Sequence, residues 1–230
     1  MTMQKRIIVY GAGGHAKTVI SLLRLLDWNI AGIIDDGVAA GTEVSGVKVL
    51  GTSSLLPELR GQGVENVVNA VGGIGNYTIR WNIFKHLREL DFHFPTLIHP
   101  SAFVEDTVSL ADGIQVLAQS YVSSESTVGF GTLINAGVII SHDGKIGKCV
   151  NLSPGALLAG MVTVNDFAQI GMGVTINLGV NIGSGARVGN SAVVKSDVPE
   201  NGRVYAGTVW PPLSGKSKIL PTDPQYRKIV

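Results

Sequence analysis

IHPSAFVEDTVSLADGIQVLAQSYV, residues 98–122, carries an aliphatic side chain at every sixth position, and this spacing continues without a break to Val194. The seventeen aliphatic positions of the series are Ile98, Val104, Leu110, Val116, Val122, Val128, Ile134, Ile140, Ile146, Leu152, Leu158, Val164, Ile170, Ile176, Ile182, Val188 and Val194. A period of six matches neither the 3.6 residues of a helical turn nor the two-residue alternation of a free strand. The repeat therefore predicts a parallel β-solenoid in which three hexads form one triangular coil.

The hexad also predicts which side chains fill the solenoid. Its first position points into the prism, and its fifth position, as in Ala156, Ala168 and Gly144, holds a small or β-branched residue near a corner. Glycines between them, such as Gly129 and Gly147, suit corners that need a tight turn or a close approach of the backbone. Seventeen hexads make between five and six coils, and a strand spacing of about 4.8 Å gives a prism roughly 27 Å tall.

The composition limits the class of protein. The chain has 230 residues, a hydrophobic fraction of 45% and a formal net charge of +1. This length suits one large or two small domains, and the charge gives no electrostatic reason to expect nucleic acid or an acidic membrane as a partner. No apolar run reaches the roughly 18 residues of a transmembrane helix, and the amino-terminal residues lack the layout of a signal peptide. The lone Cys149 excludes an internal disulfide and fits a reducing compartment, so we predict a cytoplasmic protein.

The first part of the chain follows a different pattern. The run KRIIVY at residues 5–10 is strand-like, and it is followed by the loop GAGGH at residues 11–15 and an apolar stretch with helical spacing. A second strand, IAGII at residues 30–34, ends in two aspartates, and a further strand and helix follow at residues 64–71 and 77–90. This alternation predicts a Rossmann-like α/β domain with a small parallel sheet.

The glycine loop between the first strand and the first helix has a specific use. Backbone amides at the start of a helix carry partial positive charge and favour an anion such as a diphosphate. Asp35 and Asp36, about twenty residues further on, are placed to accept hydrogen bonds from a ribose or a base edge. From these residues alone, a diphosphate ligand, an NAD site with Ala16 in place of the third glycine, and a tight turn without a ligand all remain open.

Several motifs together carry a family resemblance. They are the GAGGH loop, the IIDD strand end, GNYTIR at residues 75–80, LIHP at residues 97–100, and the solenoid segments ISHD and NLSPGA. With these motifs the chain resembles the hexapeptide-repeat acyltransferases that acetylate sugars for bacterial glycan assembly. This group comprises nucleotide-linked amino-sugar N-acetyltransferases and the similar sialic acid O-acetyltransferases. The resemblance implies a left-handed β-helix, a homotrimer, and acetyl-CoA in the groove between neighbouring solenoids.

The resemblance places the catalytic histidine at His142 and the acid beside it at Asp143. The chemistry requires such a pair, because an amine that attacks a thioester must lose a proton. Imidazole, with an ordinary pKa of about 6.5, accepts a proton near neutrality. A neighbouring carboxylate fixes the tautomer and favours the imidazolium that forms. His142 is in the third place of its hexad, where the side chain is expected to point away from the core.

The resemblance also implies residues that bind acetyl-CoA. Asn135 matches an asparagine that lies beside the catalytic histidine in the groove between subunits. Gly160, one coil after His142, matches a glycine whose backbone N–H holds the thioester oxygen. At Asn151 some relatives carry a second histidine that contacts the acetyl group, and asparagine can donate a hydrogen bond there but cannot act as an acid or base.

The resemblance assigns one group of first-domain residues to the sugar nucleotide. These are Gly13, Gly14 and His15 for its phosphates and sugar, and Asp35 and Asp36 for its nucleoside. Asn76 and Arg80 are expected to support them. His15 has a second interpretation, as a residue that only begins a helix.

These observations predict an acetyl-CoA-dependent N-acetyltransferase. Its expected acceptor is a 4-amino-4,6-dideoxy sugar on a nucleotide diphosphate, used for O-antigen and lipopolysaccharide biosynthesis, with no metal required. O-acetylation of a sialic acid is the alternative, and a protein that binds sugar nucleotides without catalysis is a third possibility. A zinc carbonic anhydrase would need three converging histidines, whereas the coils offer His142 and at most His99.

The carboxyl end departs from the family pattern. Relatives commonly close the CoA groove with a G-x-P-A-K segment, whereas here Gly207 is followed by TVWPP without that lysine. Trp210 is suited either to stacking on adenine or to filling a hydrophobic gap. We therefore expect an α/β domain at residues 1–97, a left-handed β-helix at residues 98–212, and a polar tail at residues 213–230.

Overall fold

The structure, a computed structural model, describes residues 5–75 and 77–212, without the side chain of Tyr77. The expectations for Asn76 and for the tail at residues 213–230 lie outside the described residues. Among the described residues, no helix has the length and apolar character needed to cross a membrane.

The first domain is a five-stranded sheet with helices on both faces. In chain order its elements are β1 (Arg6–Tyr10), α1 (Gly14–Leu25), β2 (Asn29–Ile34), β3 (Glu43–Val44), β4 (Val47–Gly51), a 3-10 turn (Ser53–Leu55), α2 (Leu56–Gly61), β5 (Asn66–Asn69) and α3 (Tyr77–Glu89). The strand order is β3-β4-β2-β1-β5, and all neighbours are parallel except the pair β3 and β4. The predicted parallel sheet is confirmed, but its edge hairpin was not anticipated.

Successive residues of β1 pack against helices on opposite faces of the sheet. Ile7 and Val9 of β1 pack in a cluster with the buried side chains of α1. Ile8 points to the other face and packs in a second cluster with Leu56 of α2 and Phe84 of α3. Because successive side chains of a strand point to opposite faces, a strand covered on both sides must be apolar throughout. The buried run in KRIIVY meets this requirement.

Residues 97–210 form the predicted triangular prism. Its strands β6 to β24, two residues each, are Leu97–Ile98, Phe103–Val104, Ser109–Leu110, Gln115–Val116, Tyr121–Val122, Thr127–Val128, Leu133–Ile134, Ile139–Ile140, Lys145–Ile146, Asn151–Leu152, Leu157–Leu158, Thr163–Val164, Gln169–Ile170, Thr175–Ile176, Asn181–Ile182, Arg187–Val188, Val193–Val194, Arg203–Val204 and Val209–Trp210. They form three parallel sheets: face 1 (β6-β9-β12-β15-β18-β21-β23), face 2 (β7-β10-β13-β16-β19-β22-β24) and face 3 (β8-β11-β14-β17-β20).

The register confirms a coil of eighteen residues and shows where it changes. Tyr121 pairs with Ile139, eighteen positions later, whereas Arg187 pairs with Arg203, only sixteen positions later. The last coil is therefore two residues shorter than the others. Trp210 pairs with Val194 in this coil, packs against the end of the core, and donates its indole N–H to the backbone oxygen of Asp197. These contacts favour the gap-filling interpretation of the tryptophan.

The corners of the prism have two backbone features, a residue with a positive φ and a glycine at a close backbone contact. The fourth position of successive hexads has a positive φ, as at Gly137 (67°), Asp143 (58°) and Gly155 (70°). The glycines at the second position serve a close approach instead, since a Cβ on Gly129 would lie 2.6 Å from the carbonyl carbon of Gly147. Gly129 is thus required for space at its second position, while Asp143 shows that the positive-φ position accepts other residues.

The first domain is fastened to face 1 of the prism through Arg80 of α3. This side chain is only 3% exposed, and it donates hydrogen bonds to the backbone oxygens of Asn69, Val71 and Gly131, the last of which belongs to the prism. Burial lowers the pKa of Arg80 to about 10, so the guanidinium is still charged at neutral pH. Gln169 adds a second link, since its amide exchanges hydrogen bonds with the backbone of Gly75. Arg80 therefore has a structural role between the domains.

Candidate active site

His142 and Asp143 stand at the edge of the prism between faces 2 and 3. They follow β13, and Gly144 comes next, where an added Cβ would lie 2.7 Å from Ile140 Cγ2. The distance between His142 Nδ1 and Asp143 Oδ2 is 2.7 Å. Because a carboxylate only accepts, Nδ1–H is the donor in the neutral ring, and Nε2 is left with a free lone pair. The pair therefore has the arrangement of a general base and its orienting acid.

The next coil supplies the surface on which the His142 ring lies. A Cβ added to Gly160 would lie 2.5 Å from Nε2 and 2.6 Å from Cε1, so only glycine leaves space for this ring position. The backbone N–H of Met161 donates to the carbonyl oxygen of His142 at 2.9 Å and fixes the two coils together. The side chains of His142 and Asp143 are 57% and 54% exposed, so the pair is accessible along the edge of the prism.

Asn135 and Asn151 lie elsewhere on the prism. Asn135 follows β12, at the edge between faces 1 and 2, and its Nδ2 donates to the backbone oxygen of Leu152 at 2.7 Å. Asn151 is buried on face 1, and its Nδ2 donates to Ser153 Oγ at 3.0 Å. Gly73 of the first domain packs on it so closely that a Cβ there would lie 2.4 Å from Asn151 Oδ1. Within one chain, neither asparagine reaches the edge that carries His142.

His15 links the glycine loop to face 1. Its Nε2 is 2.8 Å from Gln115 Oε1, and the Nε2 of Gln115 in turn donates to the backbone oxygen of Asn69 at 2.9 Å. This chain of bonds makes His15 Nε2–H the donor and leaves Nδ1 as an acceptor. Burial lowers the pKa of His15, so the ring is neutral at pH 7. A Cβ on Gly13 or Gly14 would meet nothing within 4 Å, and the loop is therefore open above its backbone.

The two aspartates at the end of β2 are held firmly in place. Asp35 accepts hydrogen bonds from the backbone N–H groups of Ala12 (2.7 Å), Gly37 (2.8 Å) and Val38 (3.0 Å). This carboxylate joins the glycine loop to the end of the second strand. Its position is set by the backbone of its own loop, and it is half-buried.

Asp36 is bound by one side chain and one backbone group. It accepts hydrogen bonds from the Tyr10 hydroxyl (2.5 Å) and the Ser53 N–H (2.8 Å). Burial acts to raise the pKa of Asp36, but the hydrogen bonds from Tyr10 and Ser53 outweigh it and lower the pKa below its ordinary value. The pKa of Tyr10 is raised, by burial and by the same bond to Asp36. Asp36 is thus an exposed, ordered negative charge beside the glycine loop.

A second polar cluster precedes His142 on the same edge and was not anticipated from the sequence. Ser124 stands eighteen residues before His142, and the hydroxyl groups of Ser124 and Tyr121 donate to the carboxylate of Glu105. These two bonds lower the pKa of Glu105. Reading the sequence at intervals of eighteen places Ser124, His142 and Gly160 in one column, so the signal was present in the repeat.

The described residues contain no group of three or more His, Cys, Asp or Glu side chains that is arranged to hold a metal ion. Among the described residues on the edge between faces 2 and 3, His142 alone carries an imidazole. A parallel β-helix with an imidazole–carboxylate pair on its edge, joined to an α/β domain with an open glycine loop, is the architecture of the hexapeptide-repeat acyltransferases.

Comparisons with known proteins support this class. Residues 6–87 match the family described as PglD N-terminal domain. The structure of PerB from Caulobacter crescentus in complex with CoA and GDP-perosamine is 35% identical, with a TM-score of 0.82, over 86% of this chain and 93% of that one. The acetyltransferase domain of PglB from Neisseria gonorrhoeae in complex with acetyl coenzyme A is 30% identical, with a TM-score of 0.78, over 89% of this chain and 98% of that one.

A GDP-perosamine N-acetyltransferase of Escherichia coli O157:H7 is 29% identical over 173 residues, which is 73% of this chain and 76% of that relative. The chain therefore belongs to the hexapeptide-repeat acyltransferase family of these sugar N-acetyltransferases, and its prism is a left-handed parallel β-helix. The expected family and fold class are confirmed.

Proposed function

We propose that the chain transfers the acetyl group of acetyl-CoA to the amine of a nucleotide-diphosphate-linked 4-amino-4,6-dideoxy sugar, for bacterial glycan and O-antigen biosynthesis. The names of the relatives support this substrate class, since PerB binds CoA and GDP-perosamine, and the Escherichia coli relative is a GDP-perosamine N-acetyltransferase. The open glycine loop of the first domain supports a diphosphate ligand.

One observation carries the catalytic part of the proposal: the 2.7 Å bond between His142 Nδ1 and Asp143, which leaves Nε2 as a base. The sugar amine attacks the carbonyl carbon of the thioester, so a C–N bond forms and the C–S bond breaks. The amine proton passes to Nε2, and the CoA thiolate leaves and is then protonated. No covalent intermediate on the protein is required, because a thioester is already activated. Gly160 lies against the Nε2 side of the ring, which supports its backbone N–H as the donor to the thioester oxygen.

The homotrimer is part of the same proposal. His142 lies at one edge of the prism, while Asn135 and Asn151 lie at another edge and on face 1, so two chains are needed to bring them together. Face 2, which adjoins His142, presents an apolar column in which Phe103 is 64% and Ile139 is 39% exposed. Exposed apolar columns of this kind mark association surfaces. Acetyl-CoA would then lie in the groove between neighbouring prisms, beside Asn135 and Asn151.

The first domain would hold the sugar nucleotide. The backbone amides of Gly13 and Gly14, at the start of α1, would bind the diphosphate. Asp36, beside the same loop, would accept a hydrogen bond from the nucleoside. The acceptor Nδ1 of His15 is available to a sugar hydroxyl. The direct link from His15 to Gln115 on the prism supports a sugar that extends from this loop toward the acetylating edge of a neighbouring chain.

Turnover with purified protein tests the proposal. Release of the CoA thiol should require both acetyl-CoA and a nucleotide-linked 4-amino sugar, with GDP-perosamine as the first acceptor. A thermal-shift panel of GDP, UDP and dTDP identifies the base, and light scattering should give the mass of three chains. Thiol release with sialic acid but with none of the amino-sugar nucleotides would establish O-acetylation instead. A stable and active monomer would refute the trimer.

A further inference from the structure

A cavity on face 1 has not been used by the site described above. It lies beyond Asn151, toward the carboxyl end of the prism, and its volume is about 290 Å³. We call it the arginine pocket, lined among others by Ile74, Gln169, Arg187, Asn190, Arg203 and Tyr205. Ile74 is contributed by the first domain and the other lining residues by the β-helix, so the pocket lies where the two domains meet.

The charge of the pocket is unbalanced. Arg187 and Arg203 are register partners on neighbouring strands, about 4.8 Å apart along the prism. Neither guanidinium has an ion-pair or hydrogen-bond partner among the described residues, whereas Lys148 on a lower coil pairs with Asp166 at 3.2 Å. Two unpaired like charges side by side repel each other. A bound anion removes this repulsion, and the planar guanidinium is well suited to phosphate.

The other walls of the pocket suit a flat ring. Two of its lining residues are largely exposed, Tyr205 at 76% and Ile74 of the first domain at 80%. Asn190 Oδ1 accepts the N–H of Met172, which leaves the Nδ2 group of Asn190 as a donor. An aromatic face, an apolar side chain and an amide donor are the groups that bind a nucleobase. The pocket thus combines a phosphate site with a base site.

The pocket is too far from the glycine loop to share its anion. On face 1, the successive register partners above Gln115 are Leu133, Asn151, Gln169 and Arg187. His15 contacts Gln115, and four strand spacings separate Gln115 from Arg187, a distance of roughly 19 Å. Asn151 is only two spacings, roughly 10 Å, below Arg187. The ligand of the pocket therefore belongs with Asn151 rather than with the sugar nucleotide.

We propose that the arginine pocket binds the 3′-phosphoadenosine end of CoA, with Arg187 and Arg203 on the 3′-phosphate and Tyr205 against the adenine. This rests on the proposed function, which places the acetyl end of the same molecule beside Asn151. It also accounts for the departure of the carboxyl end from the family pattern. The lysine that is absent after Gly207 is replaced, in charge, by two arginines on strands of the β-helix.

The test compares CoA with 3′-dephospho-CoA by calorimetric titration of the full chain. The wild type should bind CoA more tightly than 3′-dephospho-CoA by about tenfold, since hydrogen bonds to charged groups are among the stronger ones. The double variant Arg187→Gln/Arg203→Gln should lose this preference and leave the affinity for 3′-dephospho-CoA unchanged. Tyr205→Leu should weaken both ligands equally. Lys48→Gln, which removes an exposed cation from the first domain, is the matched control and should keep the preference.

The titrations distinguish a failure of the phosphate assignment from a failure of the proposed acetyl transfer. A double variant that keeps the wild-type preference, or that loses affinity for both ligands equally, overturns the phosphate assignment alone. If the wild type binds neither CoA nor 3′-dephospho-CoA, then the proposed acetyl transfer is overturned together with it.

Discussion

The β-helix and the first domain are specified in different ways. In the β-helix, one aliphatic side chain per hexad fixes the strand, its register and its place in the core, and the same rule holds for coil after coil. In the first domain, several of the contacts that position candidate binding residues join residues far apart in the chain, such as Tyr10 with Asp36, or His15 with Gln115 of the β-helix. The repeated hexad pattern specifies the scaffold, whereas the candidate binding groups are residues that depart from this pattern.

The candidate catalytic pair illustrates this difference inside the β-helix itself. The corner position of the hexad has a positive φ, and in the two neighbouring hexads it is occupied by Gly137 and Cys149. Asp143 occupies the same position with a φ of 58°. Aspartate tolerates this conformation better than most residues. The corner thus directs the carboxylate toward His142 without disturbing the core.

The largest effect is expected from removal of the proposed base. His142→Ala should keep the fold and both substrate affinities, because the side chain lies outside the aliphatic column, while turnover falls by roughly 10² to 10⁴ as for a lost general base. Steady-state kinetics measures the turnover, and calorimetric titration measures the two substrate affinities. His93→Ala, which removes an exposed histidine of the first domain, is the control. Turnover within a few-fold of wild type would mean that another group takes the proton.

The next largest effect is expected on stability, and it should differ between the two adjacent isoleucines of β13. Ile140 is fully buried in the column and Ile139 points outward on face 2. Ile140→Ala should lower the free energy of unfolding by about 2–5 kcal/mol, because a cavity is left in a packed core. Ile139→Ala should change it by less than about 1 kcal/mol and instead shift the proposed trimer toward smaller species on dilution. Chemical denaturation and sedimentation measure the two quantities. Equal loss of stability in both variants would contradict the division between core and association surface.

A smaller effect on turnover is expected at Gly160. An added Cβ would lie 2.5 Å from His142 Nε2, so in Gly160→Ala the ring must move. A displacement of this size costs up to about 10²-fold in turnover, since the geometry of proton transfer is lost. Gly61→Ala is the matched control, because nothing lies within 4 Å of its added Cβ. If Gly160→Ala keeps wild-type turnover, the ring position seen here is not the one used in catalysis.

The two kinds of specification decide what the sequence can predict. The aliphatic column from Ile98 to Val194 predicts the strands and the core because each coil repeats the same local rule. The shortening of the last coil after Val194 is not signalled by that rule and appears only in the register of Arg187 and Arg203.

Contacts between the domains are harder still to predict. The bond from His15 to Gln115 joins residues one hundred positions apart, and no local pattern marks it. The same holds for the close packing of Gly73 against the side chain of Asn151. For the site, the resemblance names His142 and Asp143, but their separation from Asn135 becomes evident only when the faces of the prism are assigned.

The smallest effect is expected in the first domain, from Asp36→Asn. The amide oxygen can still accept from the Ser53 N–H, whereas the NH2 group replaces the oxygen that accepts from Tyr10 and has to donate to that hydroxyl instead, and the charge is removed. The Michaelis constant for the sugar nucleotide should rise by about three- to tenfold, as for one charge-assisted hydrogen bond, with that for acetyl-CoA unchanged. Because the pKa of Asp36 is below its ordinary value of 3.8, its bonds to Tyr10 and Ser53 stabilise the fold above that pH, and this contribution is lost as the pH falls through the folded-state pKa. Asp36→Asn should therefore lose less stability than wild type on acidification, and equal weakening of both substrates would contradict a nucleotide-specific role.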